Sequence, residues 1–221
     1  MNILSDWGVQ ISKTISNIPQ GFSQIGSNLT SIIALVGVLL ILLLLLKVNK
    51  TKFTPQLMTR IGIALALATI LKILRLYHFP QGGSITLGSM VPILIIAFMY
   101  GPYVGCFTGF LFGIITFFLD PYILHPIQVL FDYPLPFTAL GIAGFFRLKK
   151  YRWVGGTLAI VLRFICHFIS GVAFFGSFAP EGMSPAIYSL FVNGPFMAVE
   201  GIICLVIMSV LPIDRIINNS K

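Results

Sequence analysis

Arg163 and His167 stand four residues apart in "RFICHFISG", a run that otherwise reads as membrane-buried helix. A charged side chain at the bilayer centre costs about 2.5–3.5 kcal/mol on insertion scales, so such residues face a protein interior or a watery cavity and are functional candidates. A spacing of four puts both on one helix face, and Ser170 and Phe174 continue that face. The other ionisable residues within apolar runs are Lys72, Arg75, Asp132 and Glu200. Lys72 and Arg75 come near the end of their helix, where long side chains reach the interface. Asp132 stands in "FDYPLP", beside Tyr133 and ahead of Pro134 and Pro136. Those prolines weaken a helix and free backbone carbonyls. The structural reading of Asp132 is an ion pair with Arg163; the functional one is a ligand contact. In the last apolar run Asn193 and Glu200 are seven apart and share a face, with Pro195 as a kink between them. Glu200 reads more readily as a helix-to-helix hydrogen-bonding group than as a ligand contact. Together with Tyr133, Phe174, Phe175 and Tyr188, these residues describe a pocket with aromatic walls and a few polar groups. An acid and aromatic faces suit a cationic, planar ligand. Asn, Arg and His add donors and acceptors for ring nitrogens and a hydroxyl.

The elements that must position these residues are set by apolarity. Of the 221 residues 57% are hydrophobic and only 9% charged, and the mean hydropathy is +0.98. A soluble domain has about a quarter of its residues charged. One soluble core of this size cannot bury the excess, so the class is an all-α integral membrane protein. The first apolar run, "SIIALVGVLLILLLLL", starts near Ser31, behind a polar segment with no evident secretory signal peptide. Further runs fall at about 60–77, 89–101, 103–119, 127–147, 153–176 and 187–211. One leading helix and six more are expected, with residues 1–50 as an extension and 51–221 as the main domain.

The net charge of +8 sits in short loops and the tail: Lys47, Lys50, Lys52 and Arg60, then Arg147, Lys149, Lys150 and Arg152, then Arg215 and Lys221. This is the positive-inside pattern rather than a nucleic-acid surface. It predicts a multi-pass protein of the cell membrane with the N-terminus outside and the C-terminus cytoplasmic. The opposite face then carries "FPQGGSITLG", "LDPYILHP" and "FAPEGMSP", which nearly lack Lys and Arg. The pocket should open there. Cys106, Cys166 and Cys204 lie inside apolar runs with no paired spacing, which predicts small buried residues and neither disulfide nor zinc.

At this point the residues resemble a known family. "PQGGS", "GPYVG", "DPYILHPIQVLFDYPL", "RFICHFISGVAFFGSFAPEGMSP" and "YSLFVNG" are similar to the thiamine-specific substrate-binding subunit (S-component) of energy-coupling factor transporters. The resemblance covers about residues 60–213 and leaves out the first 50. It implies a six-helix S-component bundle preceded by one extra helix, and high-affinity thiamine binding from outside. By resemblance the ligand-binding residues are Asp132, Tyr133, Arg163, His167, Tyr188 and Asn193. Relatives carry Glu at the first of these positions and Lys at the third; Asp and Arg keep the charge, although Arg is a planar fork where Lys is a point charge. Relatives also stack the ligand on tryptophans, for which Phe174 and Phe175 are the counterparts here. Thiamine has a charged thiazolium, an aminopyrimidine and a hydroxyethyl group. Asp132 is expected to accept from the aminopyrimidine or balance the cation, and Arg163 to hold Asp132 ionised.

The implied partners are a transmembrane coupling subunit and two cytoplasmic ATPases, since the chain has no GxxxxGK[ST] motif of its own. Family members dock through a small-residue helix face, and in "RIGIALALATIL" Ala64 and Ala68 are four apart, as are Gly62 and Ala66. Ala64 and Ala68 are the expected docking pair, with ordinary packing inside the bundle as the competing reading. The rival transport reading is a stand-alone proton-coupled carrier using His167, Asp132 or Glu200. An enzyme is not expected, because neither a GxSxG nor an HExxH motif is present. No cofactor or metal is called for.

Overall fold

The computed structural model describes residues 52–78 and 83–218, with only isolated positions before residue 51. The expected leading helix and the boundary drawn at residue 50 lie outside the continuously described residues. The fold is helical, with one short hairpin. Helix α1 spans Pro55–Ile73, capped by Thr54, whose side chain accepts from the Leu57 amide at 3.3 Å. Proline at the first helical position needs no amide hydrogen, which suits this start. The chain then forms an antiparallel hairpin of β1 (Arg75–His78) and β2 (Ser84–Thr86). Helices α2 (Val91–Tyr100) and α3 (Pro102–Leu119) follow, turning on Gly101.

Two expectations are corrected here. The run 60–77 is not helical throughout: α1 ends at Ile73, and Arg75 belongs to β1. The run 127–147 is not one span. It breaks into α4 (Pro126–Asp132), α5 (Pro134–Ala139) and a 3-10 turn over Leu140–Phe145. Pro134 lacks the amide that would continue α4 and clashes with the preceding turn, so the break falls just after Asp132. Helices α6 (Arg152–Phe174) and α7 (Pro185–Val210) are the long spans, and a short α8 (Ile213–Asn218) ends the described chain. Among the described residues four apolar helical segments, Pro55–Ile73, Pro102–Leu119, Lys149–Phe174 and Pro185–Val210, are long enough to cross a membrane; α2, of 10 residues, is shorter.

The core lies between α2, α3, the broken α4–α5 segment, α6 and α7, around Phe98, Phe112, Phe137, Leu140 and Met197. In lipid, apolar side chains gain nothing by leaving water, so close packing must hold helices together. Helix α3 uses glycine for this. A Cβ on Gly109 would lie 1.9 Å from the Phe137 carbonyl oxygen, and one on Gly113 2.5 Å from that of Tyr133. The backbone of α4–α5 is thus laid directly on α3, which brings Asp132 and Tyr133 inward. Cys106, Cys166 and Cys204 are free, and only Cys204 is fully buried.

The two ends of the bundle differ in charge. At one end Arg152 donates to Asp214 at 2.7 Å and Lys149 pairs with the same carboxylate at 3.2 Å. The Asp214 carboxyl is held below the usual carboxylate range by hydrogen bonds from Arg152 and Lys149. Arg60 bonds the Tyr100 hydroxyl, and Arg147 donates to the Phe98 carbonyl at 3.1 Å, closing the last turn of α2. The opposite end holds the hairpin, the loop 120–125 and the loop 176–184.

Candidate functional site

A cavity of about 240 Å³ opens at the hairpin end, near the lower bound of roughly 300–1,000 Å³ usual for small-molecule sites. Its wall includes each of Asp132, Tyr133, Arg163, His167, Tyr188 and Asn193. Phe175 lines it as well, stacked on Tyr122 with ring centroids 5.7 Å apart and planes at 22°. Phe174 does not. It stacks instead on His125 at 5.1 Å. One residue of chain turns a helical side chain by roughly 100°, so adjacent phenylalanines cannot share a face.

The carboxylate of Asp132 ends α4. Gln128, one turn earlier, donates to its Oδ2 at 2.6 Å, and His167 Nδ1 lies 3.5 Å from Oδ1. Gln128 is fully buried, and its side chain also accepts from the Leu124 amide at 3.0 Å and donates to the Tyr122 carbonyl at 3.2 Å. One amide thereby orients both the acid and the loop carrying Tyr122. Tyr133 serves the same loop: its hydroxyl donates to the Asp120 carbonyl at 2.8 Å and accepts from the Tyr122 amide at 2.7 Å. Its ring packs on Phe117 at 5.0 Å.

The expected pairing of Asp132 with Arg163 is not what the fold makes. Arg163 NH1 lies 3.4 Å from Glu200 Oε2, and its guanidinium sits 4.4 Å over the Phe137 ring. The crossing of α6 and α7 aligns Arg163 with Glu200, while the break after Asp132 sets that acid one turn higher, opposite His167. Glu200 is fully buried and accepts from the Thr86 hydroxyl at 2.7 Å and from that of Ser89 at 3.3 Å. Its hydrogen bonds thus go to the end of β2 and the turn after it rather than to another helix, and α6 is met through the ion pair alone.

Helices α6 and α7 meet closely at the cavity. A Cβ on Gly171 would lie 2.2 Å from Ser189 Oγ and 2.8 Å from Asn193 Nδ2. Ser189 donates to the Phe168 carbonyl at 2.8 Å and Asn193 to the His167 carbonyl at 3.3 Å. Asn193 is therefore held with its amide at the wall. Lys72, read from the sequence as an interface residue, lines the cavity instead and donates to Ser84 Oγ at 2.8 Å. Arg75 pairs with Asp120 at 3.0 Å at the rim. Several buried polar atoms, His167 Nε2 and Arg163 Nε among them, make no hydrogen bond among the described residues. A buried polar atom left so costs about 1–3 kcal/mol, which a polar ligand would recover.

Sequence reasoning missed Gln128, Tyr122 and Asp120. The first had a signal, since Gln128 lies four before Asp132 on one helix face. The other two are placed by a loop and had none. Ala64 and Ala68 are buried against the bundle, at 7% and 0% exposure, as in the competing reading of packing inside it; Gly62 and Ala66 are the small pair on the exposed side of α1.

The family model described as "Thiamine transporter protein (Thia_YuaJ)" matches residues 58–218. The chain is similar to the thiamine transporter ThiT of Bacillus subtilis (strain 168), at 36% identity over 180 residues, 74% of this chain and 93% of the relative. It is also similar to ThiT of Lacticaseibacillus paracasei (strain ATCC 334), at 29% identity over 141 residues, 56% of this chain and 70% of that one. A solved structure of ThiT from Listeria monocytogenes matches with a TM-score of 0.64 at 26% identity, covering 70% of this chain and 92% of the other.

Proposed function

Because the chain belongs to the thiamine transporter family, we propose that it binds thiamine in this cavity and delivers it across the cell membrane as the S-component of an energy-coupling factor transporter. It is a multi-pass membrane protein of a transporter family, not an enzyme. The observation that carries the reading is the Asp132 carboxylate, fixed by Gln128 at 2.6 Å and set opposite His167 in a cavity walled by Tyr122 and Phe175. Asp132 accepts from the aminopyrimidine, an acceptor-only group meeting an exocyclic amine. His167 offers Nε2 to the ligand, and the stacked Tyr122–Phe175 pair presents an aromatic face to a planar cation. Asn193 and Tyr188 orient polar edges. Gln128 and His167 are the partners that orient Asp132, since Arg163 is engaged by Glu200.

The cavity faces outside, because the basic end carrying Arg147, Lys149 and Arg152 belongs on the cytoplasmic side. The chain after α7, where Asp214 pairs with Arg152, is then cytoplasmic, and the N-terminus keeps the outside placement expected from the sequence. A transmembrane coupling subunit and two ATPases supply the energy, and the exposed Gly62/Ala66 stripe of α1 is the docking face.

Calorimetric titration of the purified protein with thiamine tests the binding site. Asp132→Ala is expected to weaken binding by roughly thirtyfold or more, the worth of a charge-assisted hydrogen bond, and His167→Ala by less. Unchanged affinity in both variants removes the site assignment. Uptake that persists without any ATPase partner and collapses with a protonophore overturns the energy-coupling reading in favour of a proton-coupled carrier.

A further inference from the structure

Glu200 lies behind the cavity rather than in its wall, and the binding reading above gives it no role. Yet it is the fully buried carboxylate beneath Arg163, a residue itself only 3% exposed that does line the cavity. Glu200 Oε1 accepts from the Thr86 hydroxyl at 2.7 Å and from the Ser89 hydroxyl at 3.3 Å, and its Oε2 lies 3.4 Å from the Arg163 guanidinium as an ion pair. The Ser89 amide donates to Thr86 Oγ1 at 3.0 Å, which aims that hydroxyl at Glu200. These partners hold the side chain in one place behind Arg163.

The charges at the cavity balance only with Glu200 included. Lys72 and Arg163 line it with Asp120 and Asp132, and Arg75 is paired to Asp120. Among the described residues three cations thus meet three carboxylates once Glu200 is counted. Without it the site carries a net positive charge before a cationic ligand arrives, in a low-dielectric setting where charge repulsion is strong. Resting on the thiamine reading, we propose that Glu200 is a positioning residue that neutralises Arg163 from behind and so determines the preference of the cavity for a positively charged ligand. Thr86 and Ser89 hold it there.

The test compares thiamine with its uncharged isostere, in which carbon replaces the thiazolium nitrogen, by calorimetric titration of the full chain. Glu200→Gln is expected to weaken thiamine about tenfold while leaving the uncharged analogue within about twofold. Equal losses for both ligands overturn the proposal, since a merely structural role does not distinguish ligand charge. The double variant Arg163→Gln with Glu200→Gln restores the charge balance, and its ratio of the two affinities should return to within about twofold of wild type. A ratio that stays depressed overturns the proposal as well. Thr86→Val keeps both charges and removes one anchor; it should lower the ratio by roughly two- to threefold, and an unchanged ratio counts against the proposal even where Glu200 variants fail to fold. Wild-type protein that binds neither compound overturns the thiamine reading itself.

Discussion

Helix α6 carries two arginines that each meet a carboxylate contributed by the chain after residue 199, and the two pairs behave differently. Arg152 and Asp214 are 2.7 Å apart with the acid 42% exposed; Arg163 and Glu200 are 3.4 Å apart with the acid wholly buried. The shorter pair is the less consequential one. In water an ion pair gains little, about 0–1 kcal/mol, because solvent already satisfies both charges. In the interior neither charge has that alternative, so losing one partner strands the other. Distance does not rank these interactions; access to water does.

Removing the buried partner is the harshest way to break this comparison. Arg163→Ala should leave Glu200 uncompensated and destabilise the protein by about 3–5 kcal/mol. Thermal unfolding in detergent should show the midpoint falling by roughly 10 °C. A shift no larger than that of an Asp214 variant would erase the distinction between the two ends. The packing that builds the buried end comes next. Gly109→Val places side-chain atoms where the Phe137 carbonyl lies 1.9 Å from an ideal Cβ, so α5 must move. A loss of about 1–3 kcal/mol is expected, together with weakened thiamine binding in the same titration.

Asn193→Ala should act more locally. It removes the bond to the His167 carbonyl and a wall donor, so thiamine affinity drops by roughly tenfold with a small change in melting temperature. The smallest effect belongs to the exposed pair. Asp214→Asn should leave thiamine binding unchanged and move the melting temperature by no more than about 3 °C. The pH dependence has a definite sign. The Asp214 carboxyl is depressed in the folded state by Arg152 and Lys149, so its contribution is present above the unfolded carboxylate range and fades as pH falls through the lower folded value. Melting curves of wild type and Asp214→Asn should therefore converge at acid pH, and high salt should narrow their gap at neutral pH.

Much of the site was legible because charge is rare in this chain. Arg163, His167, Asp132 and Asn193 stand out against apolar neighbours, and their spacing within α6 and α7 follows from helical periodicity. Pro134 marked a weakened helix beside Asp132, yet the run was expected to continue as one span. The pairing between helices was not legible. Asp132 faces His167 and Arg163 faces Glu200 because of the depth at which each helix crosses its neighbour, and no one-dimensional spacing encodes that. Adjacent Phe174 and Phe175 looked equivalent until the end of α6 sent one to Tyr122 and the other to His125. Lys72 looked like an interface residue until the hairpin folded Ser84 against it.

The sequence by itself determined a membrane-embedded helical chain, its long spans, the polarity of its two ends and the few residues able to do chemistry, since all of these follow from local composition and period. Only the tertiary structure decided which charges neutralise one another, that Ala64 and Ala68 pack inward, and that Gly109, Gly113 and Gly171 let backbones touch. These depend on contacts between residues far apart in the chain, where burial and close approach, rather than residue type, set the energy.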